Sequence, residues 1–384
     1  MAIFILHRDK FTVPLLICLI LSGCSSDSTD GVANPNTSGS GTTTVDNSSD
    51  VDGVDSSVDT IIVGQVRTIE VSGVVLSSLP ESVNAPSSEK VELGRLLFWD
   101  PILSGGKDVA CATCHLPELG YTDGIARSIG VGGVGAGPSR VVGHTGVVPR
   151  NAPTVLNTVW NGITELGMFN PEFAPMFWDG RTQGLANQAL DPIRSQQEMR
   201  GDNFTIAQLE SEVLNRLNNN DDYQALFNSA YGSTDITFAM LGQALADFQT
   251  TLIANNSPFD RWVRGDASAM SANQIQGMEE FVKVGCAQCH SGPMFSNYET
   301  HVLGVPEADN LDMPDVGDGN FGFRTPTLRQ LAFTAPYFHG GQMESLRDAI
   351  EFYDSPGGSQ NLNVPTNTLD TCLLYTSPSP RDRG

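Results

Sequence analysis

Apolar positions recur at helical spacing through the middle of this chain. Between Thr237 and Ile253, Phe238, Leu241, Leu245, Phe248 and Leu252 fall three or four residues apart, which predicts an amphipathic helix with its apolar stripe in the core. Val91, Leu96 and Leu97 mark a second helix over Glu89 to Phe98. Thr205-Ile-Ala-Gln208 and Ser271-Ala-Asn-Gln274 have the pattern of capping boxes, so helices are predicted to open at both, the second running to Val284. Gly- and Pro-rich stretches, notably Gly120 to Pro153 and Gly292 to Pro326, separate these segments and predict long irregular loops.

The beginning of the chain follows a different pattern. His7, Arg8 and Lys10 precede an apolar run from Phe11 to Leu21 that is too short to span a bilayer comfortably, which predicts an export signal over residues 1–23. Leu21-Ser22-Gly23-Cys24 resembles the lipobox of bacterial lipoproteins. That resemblance makes Cys24 the lipidated first residue after cleavage, and Ser25 after it goes with sorting to the outer membrane. From Ser25 to about Gly64 the chain is Ser, Thr, Gly, Asn and Asp with almost no large apolar residues, so residues 24–86 are predicted to be a disordered tether. Asp27, Asp30, Asp46, Asp50, Asp52, Asp55 and Asp59 meet no Lys or Arg before Arg67, and their mutual repulsion would extend it. These aspartates lack the spacing and glycine of an EF-hand loop.

A net charge of −23 and a pI near 4.4 argue against a nucleic-acid partner and towards basic proteins or none. Of 7 cysteines, Cys18 lies in the signal, Cys24 is the expected anchor and Cys372 is left over, so no disulfide framework remains. The other four stand in Cys111-Ala-Thr-Cys114-His115 and Cys286-Ala-Gln-Cys289-His290. Cys-x-x-Cys-His is the attachment motif of c-type haem: two thiols one short turn apart form thioethers to the porphyrin vinyl groups, and the next imidazole is aimed at the iron. Chance placement in this composition yields about 0.002 such pentapeptides, and neither a redox dithiol nor half a zinc site requires the trailing histidine.

Two motifs therefore predict two covalently bound haem c groups. Each follows an amphipathic helix, so the expected fold is all-α, with two tandem cytochrome c-like domains, residues 87–255 and 256–371, divided near Asn255 to Ser271. The long loops suit a fold in which a flat cofactor supplies much of the core. Gly130-Val-Gly132-Gly133-Val-Gly135 matches a dinucleotide fingerprint, but no hydrophobic strand precedes it and Pro138 blocks an immediate helix. Arg200-Gly-Asp202 and Arg264-Gly-Asp266 read as surface turns.

Phe177-Trp178-Asp179-Gly180-Arg181, followed by Gln188, Pro192 and Glu198-Met199, stands between Arg150-Asn-Ala-Pro-Thr154 and Thr334-Ala-Pro-Tyr-Phe-His339. In this order, over about Glu89 to Gly358, the chain resembles the bacterial di-haem cytochrome c peroxidases of the superfamily that contains MauG. The resemblance implies that the haem on His115 meets peroxide, with Glu198 as distal acid/base, Gln188 as its polar neighbour and Trp178 between the haems. A carboxylate suits the role because splitting the O–O bond needs a proton taken from one oxygen and delivered to the other. It also implies an interdomain calcium ion on Asn151, Thr334 and Pro336, and His144 as a switchable second ligand of the first haem.

For the haem on His290 the peroxidases supply a methionine where this chain has Tyr353, as MauG-type enzymes do. A phenolate favours ferric iron, whereas a thioether raises the potential. Met343 is the competing ligand. The family also continues into a final amphipathic helix after Asn363, and residues 372–384 here do not, so this tail is expected to be non-native. The leading reading is a periplasmic, lipid-anchored peroxidase that reduces hydrogen peroxide to water. Its electrons come from a small cytochrome c or cupredoxin through the second haem and Trp178. The alternatives are a MauG-like oxidase that modifies Trp or Tyr of a partner protein, and a non-catalytic di-haem electron carrier. Homodimers are usual among such peroxidases.

Overall fold

The computed structural model describes residues 62–63, 65–143, 146–309, 311–354 and 361–370. The export signal, Cys24, His144 and residues 372–384 lie outside the described residues.

Helices dominate the first half. Ser88–Trp99 (α1) is capped by Ser87 and buries Leu93, Leu97 and Phe98, while Val91 and Leu96 stay half-buried at its flank. Cys111–Cys114 (α2), Leu185–Gln188 (α3) and Asp191–Arg194 (α4) are single turns. Ile206–Asn218 (α5) opens at the predicted Thr205 to Gln208 box, and Asp221–Tyr231 (α6) follows it. Phe238–Gln249 (α7) carries the long apolar stripe, with Leu241, Leu245 and Phe248 buried and the outer members Phe238 and Leu252 only partly so.

α1 crosses α7 closely. A Cβ at Gly94 would collide with the Ala244 carbonyl, and the Phe98 and Phe248 rings meet edge to face at 5.2 Å. Fully burying a side chain such as Leu93, Leu97 or Phe98 contributes about 1.5–3 kcal/mol, so this crossing is the stable floor on which the first pentapeptide stands.

A second apolar cluster surrounds the second pentapeptide. Pro258–Val263 (α8) and Ala272–Lys283 (α9), the latter opened by the predicted Ser271 to Gln274 box, bury Phe259, Val263, Met278, Phe281 and Val282 with Phe295. Leu346–Asp354 (α10) is the last α-helix among the described residues.

The all-α expectation needs correction, because four antiparallel two-stranded sheets accompany the helices among the described residues. Ile62–Val63 (β1) pairs with Met168–Phe169 (β4), and Thr68–Val71 (β2) with Val74–Ser77 (β3). Pro175–Met176 (β5) pairs with Thr182–Gln183 (β6), and Thr300–His301 (β7) with Phe323–Arg324 (β8).

The predicted tether also ends earlier than residue 86. Val71 and Leu76 of the β2–β3 hairpin pack into the cluster of Phe259 and Phe281, and the buried Asp260 Oδ1 accepts the Leu79 amide at 2.9 Å. Alternation along both strands turns one apolar face inward, so the hairpin is held by burial that a polar tether lacks. The second cluster is accordingly not confined to residues 256–371. Leu79, Trp160, Ile163, Phe169 and Met294 form a further cluster joining segments from before, between and after the pentapeptides.

Candidate functional site

Both pentapeptides fold into one tight turn. In the first, the His115 amide closes on the Cys111 carbonyl at 3.0 Å; in the second, the His290 amide closes on Cys286 at 2.9 Å. Each imidazole then donates from Nδ1 to a backbone carbonyl, His115 to Tyr121 at 3.0 Å and His290 to Phe295 at 2.9 Å. Burial lowers the His115 pKa and takes His290 down to about 4, which keeps both rings neutral. With Nδ1–H committed to a carbonyl, the Nε2 lone pair is left to bind a metal, the second-sphere arrangement of haem and zinc histidines. Burial pushes the Cys111 and Cys114 thiols up to about 12 and Cys286 to about 11, opposite to the lowered thiol of a redox dithiol.

A cavity of about 580 Å³ opens beside the first turn, and Cys111, Cys114, His115, Trp178, Gln188 and Glu198 all line it. The structure thus brings the peroxide-side residues of the sequence reading to one place. This cavity, with a neutral imidazole and two thiols on its wall, fits a c-type haem.

Glu198 sits in a π-helical turn, Gln196–Arg200, a distortion that recurs at functional sites. Two loops clamp this turn. Gly105 donates to the Met199 carbonyl at 2.8 Å, and Val131 donates to the Gln197 carbonyl at 3.1 Å. A Cβ on Gly105 would collide with the Arg200 carbonyl, and one on Gly130 with the carbonyls of Gln197 and Glu198. The Gly130 to Gly135 run, which fails as a nucleotide motif, owes its first glycine to this close approach. Arg140 holds the same loop through the carbonyls of Ile129, Gly130 and Gly135 at 2.6, 2.7 and 2.8 Å. Burial raises the Glu198 carboxyl above its ordinary range, while the Arg181 charge and Ser195 pull it down.

Trp178 is fixed at both ends. Its indole N–H donates to the Asn151 carbonyl at 2.9 Å, and its own carbonyl accepts the Arg324 amide at 2.7 Å. Next to it, Asp179 binds Arg150 at 2.6 Å and Arg181 at 2.8 Å, and Arg150 reaches on to Asp315 at 2.7 Å. Segments far apart in sequence are pinned around the indole by this chain of charges. The Asn151 amide also donates to the His339 carbonyl at 2.7 Å, drawing it towards the stretch with Thr334 and Pro336, and its side-chain nitrogen donates to Ile125 and Ala126. Among the described residues no cluster of three His, Cys, Asp or Glu could hold a metal, so an ion here would rest on amide and carbonyl oxygens.

Tyr353, on α10, packs against Phe338 and Phe352. Its residue surface is 42% exposed, while the protein packed around the phenol, together with the nearby Cys286 and Cys289, raises its pKa. The structure therefore sets Tyr353 beside the second pentapeptide, while Met343 pairs its backbone with Tyr337. No sequence motif marks His301. Its Nε2 lies 3.5 Å from Cys289 Sγ and its Nδ1 binds Asp370 at 2.7 Å.

A family model described as di-haem cytochrome c peroxidase matches residues 88–268. The methylamine utilization protein MauG of Methylorubrum extorquens is 37% identical over 290 residues, covering 72% of this chain and 73% of its own. The cytochrome c551 peroxidase of Nitrosomonas europaea is 31% identical over 293 residues, covering 73% of this chain and 78% of its own. A crystal structure of a MauG-like protein associated with microbial copper homeostasis shares the fold, with a TM-score of 0.60 at 24% identity over 79% of this chain and 97% of that one. With its two Cys-x-x-Cys-His turns and this extent of likeness, the chain belongs to the di-haem cytochrome c peroxidase family that includes MauG and is an oxidoreductase of that type.

Proposed function

We propose that the protein reduces hydrogen peroxide to water in the cavity beside His115, with electrons from a small periplasmic donor such as a cytochrome c or cupredoxin. Cys111, Cys114 and His115 would hold one haem and Cys286, Cys289 and His290 the other. When bound, the haems supply electron storage and the iron at which peroxide is split. The observation that carries the reading is Glu198 on the same cavity wall as His115, with a carboxyl raised by burial. A carboxyl so placed can take a proton from one peroxide oxygen and return it to the leaving oxygen. Gln188 offers a neutral hydrogen-bonding group there, and Trp178, anchored by Asn151, gives an oxidisable ring on the wall shared with Arg324. The test is a steady-state assay with reduced donor proteins: full haem loading without peroxide-dependent donor oxidation would overturn it.

A MauG-like oxidation of Trp or Tyr on a partner protein is the second reading. Tyr353 beside Cys286 and Cys289 favours it, as does the higher identity to MauG, 37%, than to the Nitrosomonas peroxidase, 31%. Mass spectrometry of partner proteins after peroxide treatment separates the two, since only this reading yields a stable added oxygen or cross-link. Either activity fits two tandem haem domains in the periplasm, tethered to the outer membrane through a lipid on Cys24. A calcium ion on Asn151, Thr334 and Pro336 would join them, because hard oxygen donors suit it. A chelator that lowers the melting temperature, reversed by calcium, is the outcome that supports the ion.

A further inference from the structure

We propose that Arg324 is the counter-ion of a carboxylate on the haem at Cys111 and Cys114, one of its propionates, so that the β7–β8 side of the molecule grips the haem bound by the first pentapeptide. This rests on the haem assignment above and adds a residue to it.

Arg150, Arg181 and Arg324 are the cationic side chains that line the cavity among the described residues. Arg150 is taken by Asp179 and Asp315, and Arg181 by Asp179. Arg324 has no carboxylate within ion-pair distance among the described residues, and Asp179, already shared by Arg150 and Arg181, acts on it only from farther off. Its backbone is fixed by β8 pairing with β7 and by the Trp178 carbonyl, and its Nε donates to the Phe177 carbonyl at 2.9 Å. Tyr298 lies under one face of the guanidinium, with its ring centroid 5.5 Å away. Among the described residues, the only protein hydrogen bond beyond Nε is a long one, Nη1 to the Thr325 carbonyl at 3.4 Å.

The outer edge of the fork is thus held in place with little protein to bind. Placing a guanidinium out of bulk water without a directly paired anion is costly, and a fixed Nη edge matches a carboxylate in a two-point contact. A haem c brings two carboxylates and no other anionic group, and the cavity that Arg324 lines is the one that His115 lines.

The experiment begins with pyridine haemochrome quantitation of the holoenzyme. Fewer than two haems per chain sinks the haem assignment itself. With two haems present, resonance Raman of the half-reduced enzyme, in which the haems differ in oxidation state, reads the propionate-bending band of the first. The expected wild-type band is at the hydrogen-bonded position. It should move to lower wavenumber in Arg324→Gln, and the midpoint potential of that haem should fall, because an unscreened carboxylate near iron favours the ferric state. Arg324→Lys should hold the potential better than the band, since it keeps the charge and loses the fork. An unchanged band and potential in Arg324→Gln, or changes confined to the second haem, would overturn the proposal and leave Arg324 as a brace for the Phe177 carbonyl. If Arg324→Gln fails to mature, a wild-type band at the free-propionate position overturns it alone.

Discussion

The imidazole of His290 is held by the carbonyl of Phe295, 2.9 Å from Nδ1, and Phe295 adopts a left-handed backbone with φ 51°. Tyr121, which holds His115, repeats the conformation with φ 59°. A side-chain-bearing residue in that region costs about 1–2 kcal/mol, so each turn must be stabilised from outside. For Phe295 the stabiliser is visible. Arg329 donates from Nε and Nη2 to the Pro293 carbonyl, faces the Phe295 ring at 5.0 Å and pairs with Asp260 at 2.6 Å.

That ion pair is the first target. Both side chains are at most 1% exposed, and Asp260 also accepts from Ser257 and Leu79. Removing one partner strands a buried charge, so Asp260→Ala should lower unfolding stability by about 3–5 kcal/mol, read by chemical denaturation. Replacing both, as in Asp260→Leu with Arg329→Met, should recover part of the loss. A single variant as stable as the parent would count against the pair as the support of this loop.

Glu198→Gln keeps the shape of the carboxyl and removes its basicity. Loss of a positioned acid/base slows a reaction by about 10²–10⁴-fold, so peroxide-dependent donor oxidation should fall by that order with both haems retained. The decrease should lie in kcat/KM for peroxide and leave the donor's KM unchanged. An enzyme that keeps its rate would remove Glu198 from the chemistry.

The pH profile follows from the charges around that carboxyl. Burial raises its pKa, so the proton is held to higher pH than on an ordinary carboxylate, and the base form accumulates only above that point. Activity should therefore rise along an acid limb placed above the usual carboxylate range. Arg181 acts in the lowering direction, so Arg181→Gln should move the limb to higher pH and Arg181→Lys should restore it. Stopped-flow rates against pH decide this: a limb unmoved in Arg181→Gln would mean that Glu198 does not set it.

Legibility in the sequence follows the range of the interactions. The boxes at Thr205 and Ser271 are legible because a Gln stands three residues after the hydroxyl, as the pattern requires; the boxes of Ser257 with Asp260 and Ser345 with Asp348 are not, since each uses an Asp in that place. The grouping of Glu198, Gln188 and Trp178 around His115 could be carried over from a motif, whereas their clamps could not. Gly105 and Gly130 reach the Glu198 turn, and Arg140 reaches the Gly130 loop, from segments with no local pattern pointing there. The β2–β3 hairpin carries its alternation in Ile69, Val71, Val74 and Leu76, too few apolar residues to stand out from the polar stretch before it.

Gly130→Ala tests the clamp. The added Cβ meets the Gln197 and Glu198 carbonyls, so the π-helical turn must shift away. A displacement of about 1 Å at a catalytic group costs on the order of 10²-fold, and the variant should lose peroxide turnover by that order while its haem spectrum stays that of the parent.

Tyr353 decides between the two branches of the family. Its phenol is raised by burial and by the neighbouring cysteines, so a phenolate there requires a cation close by, and ferric haem iron is the cation that the second pentapeptide would bring. A hard anion stabilises the ferric state. Tyr353→Phe should therefore change the optical spectrum of the second haem and raise its midpoint potential, and Tyr353→Met should raise it further by supplying a soft thioether. Met343→Leu should leave spectrum and potential unchanged, because it is Tyr353 that stands beside Cys286 and Cys289. If Met343→Leu moves the spectrum while Tyr353→Phe does not, the methionine is the ligand and the second site is of the peroxidase kind. Loss of high-potential storage in Tyr353→Met, with donor oxidation preserved, would show that the tyrosine serves partner oxidation rather than peroxide reduction.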